Sequence, residues 1–222
     1  MKRITLLRLD THFPRIPGDV GSFDTFKCEL EIIRIPNATV KQVVNADPNQ
    51  IDLDPFFDAI DKATGDLITT SCGFLSPFQN ELEGICDVPF ISSSLRQLEH
   101  LKNIYTPPEL QIITFDAAKL GPTHLPIGCE AFNTSVCGLN SDAHLKSIIE
   151  NNITHIDISK ASADICAVVR ANKKKSTKGI LLECTNLPPY KTDIRRISDV
   201  PIYDILTAIE KELPDSVNPY FL

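Results

Sequence analysis

The chain has 222 residues, long enough to bury a full hydrophobic core either as one domain or as two small lobes sharing an interface. Hydrophobic residues make up 42% and charged residues 23%, a balance that excludes disordered, fibrous and low-complexity classes. The formal net charge of −7 argues against nucleic acid as a partner, because phosphate binding requires a cationic surface.

Short apolar runs rich in β-branched residues alternate with amphipathic stretches along the chain. Strands are expected at 4–9, 29–35, 67–71, 89–92, 111–115, 179–183 and 201–204. Helices are expected at 55–63, 94–103, 141–151, 162–172 and 205–213. Asp54 before Pro55 reads as a helix start, and Ser141 reads as an N-cap for a helix with Leu145, Ile148 and Ile149 on its apolar face. The order of elements predicts an α/β fold with mainly parallel sheets flanked by helices. The lysine run at 173–175 falls between a helical stretch and a strand and reads as a solvated turn.

No run approaches the roughly 18 apolar residues needed to span a membrane, so no membrane partner is expected. The opening segment MKRITLLRLD does not read as a signal peptide, because Arg8 and Asp10 interrupt its short apolar stretch. A cytoplasmic protein with reduced thiols is therefore expected. Seven cysteines without a C-x-x-C pair fit neither a disulfide framework nor a zinc knuckle, and no metal site is expected.

An internal repeat carries most of the functional information. Residues 71–90, SCGFLSPFQNELEGICDVPF, align without a gap on residues 183–202, ECTNLPPYKTDIRRISDVPI, at a constant offset of 112. From Cys72 to Pro89, 7 of 18 positions are identical to those from Cys184 to Pro201, where about one would match by chance. Each copy runs from an apolar strand through a cysteine and a proline-containing turn to D-V-P and the next strand. Both cysteines thus fall just beyond the carboxyl end of a strand, where open α/β sheets place their ligands. A pseudo-twofold pairing of the two halves would put the sulfurs on opposite walls of one cleft. Inverting a carbon centre beside a carboxylate needs such a pair, one group removing a proton while the other delivers one. The remaining cysteines, Cys28, Cys86, Cys129, Cys137 and Cys166, lie outside this pattern and read as small apolar residues.

The segments LRLDTHFPRIPGDVG, TTSCGFL, SSSLRQL and LLECTNLPPY, in this order, resemble the aspartate/glutamate racemase superfamily. The resemblance implies two pseudo-symmetric lobes with the site between them, an N-terminal lobe over 1–106, a C-terminal lobe over 107–204, and a C-terminal helix and tail over 205–222 packing back on the first lobe. It implies an amino-acid racemase or epimerase that needs no pyridoxal phosphate, other cofactor or metal, acts on a small carboxylate or amino acid, and works as a homodimer. Cys72 and Cys184 correspond to the two catalytic cysteines, and Asp10 to an acidic residue assisting the first. Thr11, Arg15, Gly73, Phe74, Thr185 and Asn186 are the expected substrate-binding residues, with Arg15 suited to a second carboxylate and Thr185 to the first. His12 is a further candidate proton donor, and the proline-rich loop that carries it a wall or lid of the cleft.

Two departures point away from glutamate as substrate. Gly73-Phe74 stand where glutamate racemases carry Asn-Thr, and Asn186 stands where they carry histidine. The same site fits two other classes: a cis–trans isomerase of the maleate isomerase type, and a non-catalytic binder of small acids.

Overall fold

In the computed structural model, which describes residues 2–222, two four-stranded parallel sheets form the frame. The first orders its strands β2-β1-β3-β4, with β1 at Arg3–Arg8, β2 at Glu29–Arg34, β3 at Leu67–Thr70 and β4 at Phe90–Ile91. The second repeats that order as β6-β5-β7-β8, with β5 at Leu110–Thr114, β6 at Val136–Gly138, β7 at Gly179–Leu182 and β8 at Ile202–Tyr203. Register is conserved between the copies: Ile68 pairs with Phe90 in one and Ile180 with Ile202 in the other. The sequence repeat is therefore a structural repeat, and the fold is the expected two-lobed α/β arrangement. The central strands β3, β5 and β7 are buried along their whole length, as parallel strands covered on both faces must be.

The helices are α1 (Val40–Val43), α2 (Asp54–Ile60), α3 (Gln79–Glu83), α4 (Leu98–Leu101), α5 (His144–Glu150), α6 (Ile158–Asn172), α7 (Lys191–Arg195) and α8 (Ile205–Glu212). Helix α6 starts where Asp157 accepts the Lys160 N–H at 3.1 Å, and it buries Ala161, Ile165, Val168 and Val169 against the second sheet. Helix α8 packs Ile205, Leu206 and Ile209 against Ile4, Leu6, Leu30 and Leu67 of the first sheet, so the chain end returns to the lobe in which it began.

Several local expectations need correction. Strand β6 was missed, because Val-Cys-Gly is too short to show alternation. Ser141 does not cap α5, which begins at His144; the free Leu145 N–H is instead taken by Asp164 of α6 at 3.0 Å. Asp54 is already helical, with Leu53 at the cap position. The helix expected over 94–103 is a 3-10 turn at Ser94–Gln97 followed by α4, and at its start the Ser94 hydroxyl reaches across to donate to the Leu182 carbonyl of the other lobe at 2.8 Å.

One buried ion pair fixes the position of α8. Asp204 caps α8 by accepting the Thr207 N–H at 2.9 Å, its carboxylate lies 2.7 Å from Lys191 Nζ on α7, and its carbonyl accepts from Gln97 of the first lobe at 2.8 Å. Both charged side chains are almost wholly buried. Removing one partner of such a pair strands the other charge, so Lys191→Ala is expected to destabilise the fold by roughly 3–5 kcal/mol in urea denaturation.

Candidate active site

The two repeated turns meet between the sheets. Cys72 and Cys184 line one small cavity together with Thr11, Arg15, Gly73, Phe74, Thr185 and Asn186, the substrate-binding set expected from sequence. The cavity is small, with about 370 Å³ of space between its lining atoms, part of it open to solvent. That is room for a small metabolite only. None of the other five cysteines lines it, and all seven are free.

The repeat is visible at the sulfurs themselves. Each cysteine follows the end of a central strand, and each receives the backbone N–H two residues on, from Phe74 for Cys72 and from Asn186 for Cys184. Those N–H groups favour a thiolate, yet burial outweighs them. Burial first, and then the nearby Glu183, push the Cys72 thiol up to about 12. The same two causes raise Cys184 well above the ordinary thiol range, with Cys72 and Asp19 adding to the effect.

Glu183 was not anticipated from sequence. It lines the cavity directly before Cys184, is 1% exposed, and has no charged partner. Thr114 at the end of β5 donates to its Oε2 at 2.6 Å, and Oε1 has no hydrogen-bond partner. A Cβ at residue 73 would lie 1.9 Å from Oε1, so Gly73 is required by the carboxyl packed against it. Burial drives the Glu183 carboxyl up to about 7, against the pull of Thr114. A sequence signal existed, since the repeat aligns Glu183 with Ser71, and an acid where its copy has a serine at a strand end invites inspection.

Asp19 was also missed. Its carboxylate pairs with Arg15 Nη1 at 3.2 Å, accepts the Gly21 N–H at 2.7 Å and takes the Asn186 amide at 2.6 Å. Arg15 further donates to Thr11 Oγ1 at 3.1 Å and lies over the Phe13 ring at 4.4 Å. The proline-rich loop thus forms a wall of the cavity, held by a buried network. Gly18, at φ +97°, lets that loop cross the second lobe, since a Cβ there would meet Pro189 Cα at 2.7 Å.

Asp10 does not line the cavity. Its carboxylate is held by Arg34, whose Nε donates at 2.8 Å, and that contact keeps it below the ordinary carboxylate range. The assisting role expected of Asp10 therefore has no geometric support here. His12 is exposed and bonds Asn152 and Arg34 outside the cavity. Thr185 does line it, but its hydroxyl is committed to the Ser71 carbonyl of the other lobe at 2.7 Å. Behind Phe74, the edge of buried His124 sets the ring with centroids 5.0 Å apart.

Over the whole chain, the structure superposes on the aspartate racemase of Picrophilus torridus with a TM-score of 0.59 at 14% identity, covering 100% of this chain and 98% of that one. The chain has the fold of the aspartate/glutamate racemase superfamily. An allantoin racemase from Pseudomonas fluorescens shares that fold at a TM-score of 0.58 and 14% identity, over 97% of this chain and 93% of the other. No family model matches the sequence. Curated relatives tell a different story from the superfamily's racemases. A dimethylsulfoniopropionate lyase from Durusdinium sp. clade D is 29% identical over 92% of this chain and 72% of its own length. Dimethylsulfoniopropionate lyase 7 of Emiliania huxleyi is 26% identical over 97% of this chain and 68% of its own length.

These relatives overturn the isomerase expected from sequence, in both its racemase and its cis–trans form. They are lyases, a different reaction class, and at 14% identity the likeness to racemases extends to the fold alone. No helix among the described residues is long and apolar enough to cross a membrane.

Two measurements follow from Glu183. Unfolded, its carboxyl ionises near 4.5, whereas folded it holds its proton to about 7. Its contribution to stability is thus full below the lower value, falls by about 1 kcal/mol per pH unit as pH rises between the two, and is flat above. The stability difference between wild type and Glu183→Gln, from urea midpoints across this range, is expected to shrink or reverse sign with that slope. Gly73→Ala is expected to cost more than about 2 kcal/mol by the same assay, because the buried carboxyl has nowhere to move.

Proposed function

We propose that this chain is a carbon–sulfur lyase acting on dimethylsulfoniopropionate or a closely similar β-sulfonium carboxylate. The observation that carries the reading is the pair of buried cysteines on one small cavity, in a chain whose full-span relatives are lyases of that substrate. Such a substrate has a carboxylate at one end and a trivalent, positively charged sulfur two carbons away. A base that removes a proton beside the carboxylate lets the electron pair form a carbon–carbon double bond as neutral dimethyl sulfide departs. The leaving group needs no proton, so the reaction asks for one base and no acid. A thiolate at Cys72 or Cys184 is that base, and the other cysteine lines the opposite wall.

The remaining wall fits the two ends of the substrate. Arg15, with its Nε unpartnered in the buried network, offers a charged donor for a carboxylate. Phe13, Phe74 and Phe115 line the same cavity, and aromatic faces attract an alkylated cation. Asp19 holds the Arg15 charge in place by their ion pair. In this reading the enzyme works in the cytosol as a homodimer, a setting that suits its seven free thiols.

The test is release of dimethyl sulfide from dimethylsulfoniopropionate, measured by gas chromatography with folded, reduced protein. No release above the protein-free rate would reject the reading. Serine substitutions at Cys72 and Cys184 are expected to act unequally: the one that removes the base lowers kcat by about 100-fold or more, and the other less. Both single variants running at the wild-type rate would remove the cysteines from the mechanism.

A further inference from the structure

The turn after β7 does not itself require a carboxyl at residue 183. The equivalent position in the first lobe is Ser71, whose hydroxyl accepts the Leu9 N–H at 3.0 Å, so a serine suffices for the turn. A buried carboxyl with a bare oxygen is costly, and a neutral residue would serve the core better. Yet this one is held by Thr114 with Oε1 against Gly73, next in the chain to Cys72, while Glu183 itself precedes Cys184. Among the described residues it is the only carboxyl that lines the cavity.

We propose that Glu183 is the proton acceptor that turns a cavity cysteine into its thiolate. The proposal rests on the lyase reading and names how its base is formed. Loss of a thiol proton to water would put a second negative charge into the cavity beside ionised Glu183, and like charges in a dry site repel strongly. Transfer from sulfur to Glu183 leaves one negative charge before and after. The S–H electron pair stays on sulfur, and the thiolate then takes the proton beside the substrate carboxylate. That C–H pair becomes the double bond, the C–S pair leaves with dimethyl sulfide, and the thiol is restored. Glu183 keeps the extra proton until it passes to water.

The ionisable groups near Glu183 are Cys72 on the turn after β3 and Cys184 on the turn after β7, whose thiol donates to Asn186 Oδ1 at 3.6 Å and leaves Cys72 the freer donor, while Arg15 and Asp19 of the loop are paired with each other. Burial brings the carboxyl to about 7, where it can both take and release a proton near neutrality.

The experiment has one arm that needs no turnover. In infrared spectra of the whole 222-residue chain, a protonated-carboxyl band is expected to disappear as pH rises through about 7, and to move in frequency in Cys72→Ser or Cys184→Ser. A band unmoved in both cysteine variants overturns the proposal, even if the protein proves not to be a lyase. The second arm is the pH profile of dimethyl sulfide release. Wild type is expected to rise through about pH 7, and Glu183→Gln to lose about 100-fold with its rise displaced towards the thiol range. Glu183→Asp, the check against misfolding, is expected to keep the wild-type rise at a lower rate. A Glu183→Gln enzyme with an unchanged profile and a rate within about threefold of wild type overturns the proposal.

Discussion

The site exists because the ends of two central strands, β3 and β7, are joined across the lobes. Thr185 beyond β7 donates to the Ser71 carbonyl beyond β3, and Ser94 of the first lobe donates to the Leu182 carbonyl of the second. All of these groups are buried, where an unmade hydrogen bond costs more than a made one contributes. The bonds hold the two cysteine turns together, and both turns line one cavity. The expected role of Thr185 in substrate binding thus gives way to a structural one: its hydroxyl holds the walls together.

Once the walls are joined, burial controls the electrostatics. Two thiols and one carboxyl share one small cavity; burial penalises the charged form of each, and Glu183 adds to the penalty at both sulfurs. The loop network of Arg15, Asp19 and Asn186 acts unequally on the two sulfurs, since Arg15 favours the Cys72 thiolate while Asp19 adds to the penalty at Cys184. The cavity can hold one negative charge and resists two. In the proposal above, that constraint favours passing a proton from sulfur to carboxyl over losing it to water.

The same constraint explains how one frame serves racemases and, as proposed here, a lyase. Both reactions begin by removing a proton from a carbon beside a carboxylate. They diverge only afterwards, when the carbanion is either reprotonated from the opposite face or collapses by expelling a group from the next carbon. A second thiol on the same cavity is compatible with either outcome. What selects between them is the substrate's own leaving group and the pocket that admits it, and an aromatic wall suits a sulfonium better than an ammonium that donates hydrogen bonds.

Much of this was legible in the sequence. The gapless repeat around Cys72 and Cys184 fixed the duplication, the parallel α/β frame and the meeting of two sulfurs, because strand spacing and a turn after each strand are local properties that a chain writes in order. The racemase expectation failed because the repeat reports a fold and a cysteine pair, and neither names the reaction, whereas the curated relatives are lyases. Asp10 looked functional by its place after β1, but Arg34 on the neighbouring β2 captures it, a pairing between residues distant in sequence. Glu183 and Asp19 escaped notice for the converse reason: an acid in a chain is ordinary, and only the packing of two lobes shows which acid loses its water. The sequence alone determined the elements, their order and the two cysteine turns; the tertiary structure decided which charges are buried, because burial is a property of what comes to lie around a residue and not of the residue itself.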